Sequence, residues 1–307
     1  MGLKNQFSDL GYKHFVPTAL RRGTMIATTL KTWIDATKAL LTNVSALAIF
    51  AALYAVLLAT LYGYIATREA TVWQVIITLV GLVVIPAEFF ILQAAILDQA
   101  RDQGFRWRAI LIGALKILVG TIPILIVAYV VWYLLNKWQV HYPAPKPAIV
   151  FPPAPPKAQP LHWPTLLFAT LRCLLFGIAL PLATIHKWIE VTRNDLKTLF
   201  AGGAKGILKR IGRGCARAFS SNSVLTYALG LVVFVLIPYA LLFVPLTIKG
   251  NKTEFLVFML RLVLVFGFTL FGWIVTVDAL AKLPREIAAV APKPESTPLK
   301  LSEEPTG

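Results

Sequence analysis

The chain has 307 residues, of which 57% are hydrophobic and only 14% charged, whereas soluble domains sit nearer half apolar and a quarter charged. Mean hydropathy is +0.71, and the apolar residues fall in uninterrupted blocks, the pattern of bilayer spans that need ~20 apolar residues each. A net charge of +16 would point to nucleic acid in a soluble protein, but no nucleic-acid fold signature accompanies it, and Lys and Arg gather in the loops beside apolar blocks, as residues facing anionic headgroups do.

Residues 1–17 are mostly polar, and no cleavable leader is expected, because the first apolar run is long enough to remain as an anchor. From Thr18 to Leu41 a helical pattern places Ile26, Leu30, Trp33, Ile34 and Leu41 on one face. Arg21, Lys31, Asp35 and Lys38 supply the other, which predicts a helix lying along the headgroups. Six spans follow: Val44–Ala66, Val72–Leu97, Ala109–Leu135, Pro164–Ile185, Val224–Leu246 and Phe255–Leu280.

Between the third and fourth spans, residues 136–163 hold eight prolines from Pro143 to Pro160. Such a segment favours an extended polyproline conformation and reads as an arm available to a protein partner. Trp132, Trp138 and Trp163 flank it as an aromatic belt. Residues 187–223 form a basic amphipathic segment in which Phe200, Ile207, Ile211 and Ala218 share a face. Lys205, Lys209, Arg210, Arg213 and Arg217 point away from that face, as in a helix resting on anionic lipid. Its glycines weaken the helix by ~1 kcal/mol each. The tail from residue 281 lacks periodicity and reads as disordered.

The fold class is therefore all-α: a polytopic bundle of six spans with interfacial amphipathic helices. Segments 1–43, 98–108, 187–223 and 281–307 carry most of the positive charge. The positive-inside rule puts them, and both termini, in the cytoplasm, with a bacterial inner membrane the expected location. Thr18–Asp98 and Lys197–Asp278 also share an order: amphipathic helix, span, short turn, span, Asp. That order is the mark of a parallel internal repeat.

Ionisable residues inside spans are the first candidates for function. Glu88 lies ten residues before Asp98, ~15 Å deep at the helical rise. From there a glutamate must be protonated, paired or in contact with water. Lys116 and Arg172 are the cations that can pair with it, while Lys116 and Arg261 can also snorkel to headgroups. A Glu88 pair would serve helix packing or line a transport path. At the cytoplasmic edge, Asp98 and Asp102 stand one turn apart, and Glu190 and Asp195 flank Arg193. Two such carboxylate pairs are the donors a Mg²⁺-dependent lipid-diphosphate enzyme would need, although Glu190 and Asp195 are five residues apart and diverge on an unbroken helix. His14, His141, His162 and His186 are scattered, and Cys173 and Cys215 lie in different segments, so no metal set or disulfide is expected. No phosphate loop, nucleophile elbow or zinc-protease motif occurs, and no cofactor is expected. The leading expectation is an interaction or accessory subunit without catalysis, in contact with anionic lipid.

Overall fold

In the computed structural model of the chain, residues 18–67, 71–101, 105–143, 162–194, 217–245 and 250–290 are described. They form seven helices: α1 (Thr18–Thr42), α2 (Val44–Ala66), α3 (Val72–Gln99), α4 (Trp107–Gln139), α5 (Trp163–Arg193), α6 (Ser221–Phe243) and α7 (Asn251–Val290). No strand occurs among these residues. Six of the helices, α2 to α7, are long and apolar enough to cross a membrane, and α1 precedes them.

Local chemistry explains the boundaries. Asn43 caps α2, its side chain accepting from the Ala46 amide at 3.1 Å. Thr71 and Gln74 close a reciprocal capping box on α3, which satisfies two backbone donors that would otherwise be left bare. Pro164 starts α5 at a position where its missing N–H costs nothing. The helices overrun several predicted ends. α5 continues past Ile185 to Arg193, so the basic segment begins later than residue 187, and α7 continues past Leu280 to Val290. The helical backbone of residues 281–290 corrects the expectation of a disordered tail from residue 281; residues 291–307 lie outside the described part, as does the proline arm from 144 to 161.

Two of the spans contain wide π-type turns, Cys173–Ala179 in α5 and Val232–Leu236 in α6. Each stands just before a proline, Pro181 and Pro238. A proline interior to a helix removes one hydrogen bond and crowds the preceding turn, and a wider turn absorbs that crowding. The widened turn of α5 also presents a carbonyl outward: the Tyr227 hydroxyl of α6 donates to Gly177 O at 3.0 Å.

Helices α2 to α5 pack in series, each against the next, while α6 and α7 form a hairpin. α7 joins the two groups by packing against α3 and α5 as well. The core lies at the end that holds α1 and the turn after Asp98, termed here the basic end. It is built from Leu92–Leu97, Ile110 to Ile117, Leu182 to Val191 and Ile274 to Leu283. Toward the opposite end, most apolar side chains are exposed, Leu125 and Tyr129 of α4 among them. That is the surface a bilayer covers, since lipid tails solvate Leu as well as a protein core does.

α1 packs across α7 and α6 more than against α2, and its burial corrects the predicted two-faced pattern. The face turned into the protein is Thr29, Thr32, Ala36 and Leu40, all buried. The predicted apolar strip, Ile26, Leu30, Ile34 and Leu41, is exposed, with only Trp33 half-buried. Lys31, Asp35 and Lys38 are exposed as a third sector. Small and hydroxylated residues let α1 approach its neighbours closely, and the bulky strip is left for another medium.

Candidate functional site

Glu88 is half-buried on α3 and faces α2. The Thr60 hydroxyl of α2 donates to its Oε1 at 3.0 Å, while Oε2 is buried with no hydrogen-bond partner. Among the described residues no cation lies within ion-pair distance of it. The expected Glu88–Lys116 and Glu88–Arg172 pairs are therefore replaced. The physical reason is facing: Glu88 points to α2, whereas the side of α3 turned to α4 and α5 carries Phe90 and Ala94, with Phe90 against Trp188 and Ala94 against Gly113. Two and six residues along a helix from Glu88 are different faces.

The three cations have other work, and it is the same kind of work in each case. Lys116 Nζ of α4 donates to Asn194 O at 3.2 Å, and Asn194 is the cap at the end of α5. Arg261 of α7 donates to Val244 O at 2.8 Å, and Val244 is the cap at the end of α6. Arg172 of α5 donates to the side chains of Asn136 and Gln139, both at 2.6 Å, in the last turns of α4. A helix C-terminus carries bare carbonyls and partial negative charge, so a cation from the neighbouring span is favourable there. In hydrocarbon the contacts of Lys116 and Arg261 spare both groups an unpaired burial, while Arg172 keeps its Nε buried without a hydrogen-bond partner. Each cation thus pins one helix end to an adjacent span.

The carboxylates at the basic end are also engaged. Asp98, 7% exposed, lies 3.8 Å from Arg106. Glu190 pairs with Lys187 one turn away on the same helix at 3.2 Å, and Asp278 pairs with Lys282 at 2.8 Å. Asp102 and Asp195 of the predicted acidic pairs lie outside the described residues. Among the described residues no three His, Cys, Asp or Glu side chains converge on a point. His186 Nε2 is 3.1 Å from Ser223 Oγ, and Ser220 Oγ donates to the same hydroxyl at 2.9 Å. Ser223 is buried, and Ser220 is the cap of α6, so these hydroxyls serve the start of that helix.

Of the basic run, Lys205, Lys209, Arg210 and Arg213 lie outside the described residues; Arg217 is exposed and Ala218 buried beside it. Sequence reasoning missed Thr60, the amides of Asn136 and Gln139, and the Thr29–Leu40 stripe. Uncharged hydrogen-bonding residues inside an apolar block, as Thr60, or just beyond its end, as Asn136 and Gln139, are the signal that would have found the first three. It also missed the contact between Gln93 and Trp273, whose indole N–H donates to Gln93 Oε1 at 2.8 Å.

No family model, curated protein or solved structure matches this chain.

Proposed function

We propose that this chain is a non-catalytic, membrane-embedded accessory subunit that rests its basic end on anionic lipid. The reading places that end in the cytoplasm of a bacterial cell, with the proline arm on the other side as the partner-binding segment. One observation carries it: α1 leaves Ile26, Leu30, Ile34 and Leu41 exposed in a single strip beside exposed Lys31 and Lys38. A helix fixed to the bundle by one face, with an apolar second face and a basic third, is suited to the acyl–headgroup boundary.

The test uses an environment-sensitive fluorophore on Leu30→Cys, in a Cys173→Ser/Cys215→Ser background, in nanodiscs. The emission should report an apolar setting, and more so as phosphatidylglycerol replaces phosphatidylcholine. An aqueous signal in both lipids overturns the reading.

A second reading, a transport path at Glu88, keeps one supporting observation: the buried Oε2 without a partner. A carboxyl so placed is a natural stop for a proton or a small cation in the membrane. Glu88→Gln in proteoliposomes separates the two readings, because only a path would lose a pH-dependent flux.

A further inference from the structure

Arg172 of α5 is half-buried at the end of the bundle opposite α1. Its Nη2 serves both Asn136 and Gln139 of α4, and its Nη1 is neither buried nor bonded among the described residues. The charge is also unanswered. Among the described residues no carboxylate lies within ion-pair distance of Arg172. Residues 103–189, which hold all of α4 and most of α5, contain no Asp or Glu. Lys137, next to Asn136, is exposed and brings a second positive charge to the same level. A guanidinium held by two neutral amides keeps its full charge, and an edge of one sign attracts an anion.

The depth and the surroundings say which anion. Asn136 and Gln139 lie in the last turns of α4 beside exposed Trp138, the position of an interfacial aromatic at headgroup level. Trp132 and Tyr129 come four and seven residues before Asn136 on the same helix face, ~6 and ~10 Å deeper at the helical rise. They are 49% and 65% exposed, with ring centroids 6.1 Å apart. An anionic group on Arg172 therefore has an uncovered aromatic ledge beneath it.

We infer that this edge of α4 and α5 binds the phosphate of one anionic phospholipid, in the leaflet far from α1, with an acyl chain on the Trp132–Tyr129 ledge. The two amides fix the guanidinium plane, so Nη1 can donate to a phosphate oxygen with little further loss of rotamer freedom. That bond is charge-assisted on both sides, and Lys137 adds attraction to the same headgroup. A zwitterionic head would bring an ammonium to a place that holds cations and no carboxylate, so a net negative head is favoured. The site lies at the other end of the spans from Lys31 and Lys38, and it stands or falls apart from the lipid contact proposed for α1.

The experiment titrates phosphatidylglycerol, phosphatidylcholine and soluble glycerol phosphate into purified full-length protein in detergent. Native mass spectrometry counts retained lipid, and thermal unfolding reports protection. Phosphatidylglycerol should be retained in preference to phosphatidylcholine. Arg172→Gln should weaken its tightest binding by about tenfold, the loss of one hydrogen bond between charged groups. The fluorophore at residue 30 should respond to phosphatidylglycerol as before in that variant, which separates this site from the α1 contact. Because Arg172→Gln also removes the donor of Asn136 and Gln139, two exposed positions give an independent reading. Lys137→Gln should weaken phosphatidylglycerol by about threefold, as for an exposed ion pair, and Trp132→Ala should weaken it too, both with lipid-free unfolding unchanged. Equal retention of the two lipids, or phosphatidylglycerol binding unmoved in Lys137→Gln and Trp132→Ala, overturns the proposal. Protection by glycerol phosphate equal to that of the lipid overturns its lipid part.

Discussion

Trp273 of α7 donates its indole N–H to Gln93 of α3 at 2.8 Å, and the two residues stand at the same place in their helices, five positions before Asp278 and Asp98. Around both, the buried stretches correspond: Phe90 to Asp98 in one helix, Leu270 to Leu280 in the other. Two parallel copies related by an axis along the membrane normal bring corresponding residues together where their helices cross. The contact is thus what a repeat of Thr18–Asp98 and Lys197–Asp278 would place at its centre.

The Gln93–Trp273 hydrogen bond ties α3 to the α6–α7 hairpin in a region where Gln93 is only 1% exposed. Gln93→Met and Trp273→Phe should each lower stability by about 1 kcal/mol, as for a neutral pair with its partner left unsatisfied. Their double mutant should cost less than the sum, with a coupling of ~0.6 to ~1.7 kcal/mol, the range for hydrogen bonds between membrane helices. Unfolding in detergent of the four proteins of the cycle measures it; strict additivity would remove the link.

The pinning cations give a second prediction. Lys116→Met and Arg261→Met should each destabilise by ~1 kcal/mol, because the carbonyls of Asn194 and Val244 lose their donors. Lys116→Arg should recover most of the loss, since a guanidinium also donates to a carbonyl. Thermal unfolding without added lipid is the readout, and unchanged midpoints in both Met variants would return these residues to simple snorkelling.

Glu88→Gln should behave differently from the cations. The glutamine keeps a side-chain oxygen for the Thr60 hydroxyl, and no cation is left unpaired. Stability should stay within about 0.5 kcal/mol of wild type, as for substitutions that preserve their hydrogen bond. A larger fall would show that the buried, unpartnered position of Oε2 does not tolerate an amide donor.

Why these partners were hidden in the sequence follows from what each one is. The six spans were legible because each is a long run of apolar residues, and only their ends shifted, as at Arg193 and Val290. The Glu88 pair was misread because charge and depth can be read from a sequence while helix facing cannot; the acceptors of Lys116 and Arg261 are backbone carbonyls, which have no residue type to show them. In α1 the charged and bulky residues were read correctly as sectors. Thr29, Thr32 and Ala36 counted as neutral filler, yet they form the face that docks.

That face gives a fourth prediction. Thr32 is 2% exposed against the bundle, and Thr32→Leu should overpack the α1 contact, at a cost of ~1–3 kcal/mol. Ile34→Ser, on the exposed strip, should leave unfolding in detergent within about 0.5 kcal/mol of wild type. In nanodiscs it should make the probe at residue 30 report a more polar setting. The reverse ranking would mean that the bulky strip, and not the threonine stripe, holds α1 to the protein.

The α6–α7 hairpin is closed by a glycine with no room to spare. A Cβ at Gly230 would stand 2.0 Å from Thr276 Oγ1, 2.7 Å from its Cγ2 and 2.9 Å from its Cβ, and Thr276 is fully buried. Thr276 cannot simply turn away, because its hydroxyl is committed to Gly272 O one turn back, and Gly272 is itself tight against Val233 and Phe234. Gly230→Ala should therefore push α6 off α7, destabilising by about 2–3 kcal/mol despite alanine's better helix propensity. Thr276→Ala removes the two worst contacts and keeps the third, so Gly230→Ala/Thr276→Ala should recover part, not all, of the loss. The four-protein cycle, read by thermal unfolding, should be non-additive in the rescuing direction. If Gly230→Ala alone were neutral, the close approach of these two spans would have to be given up.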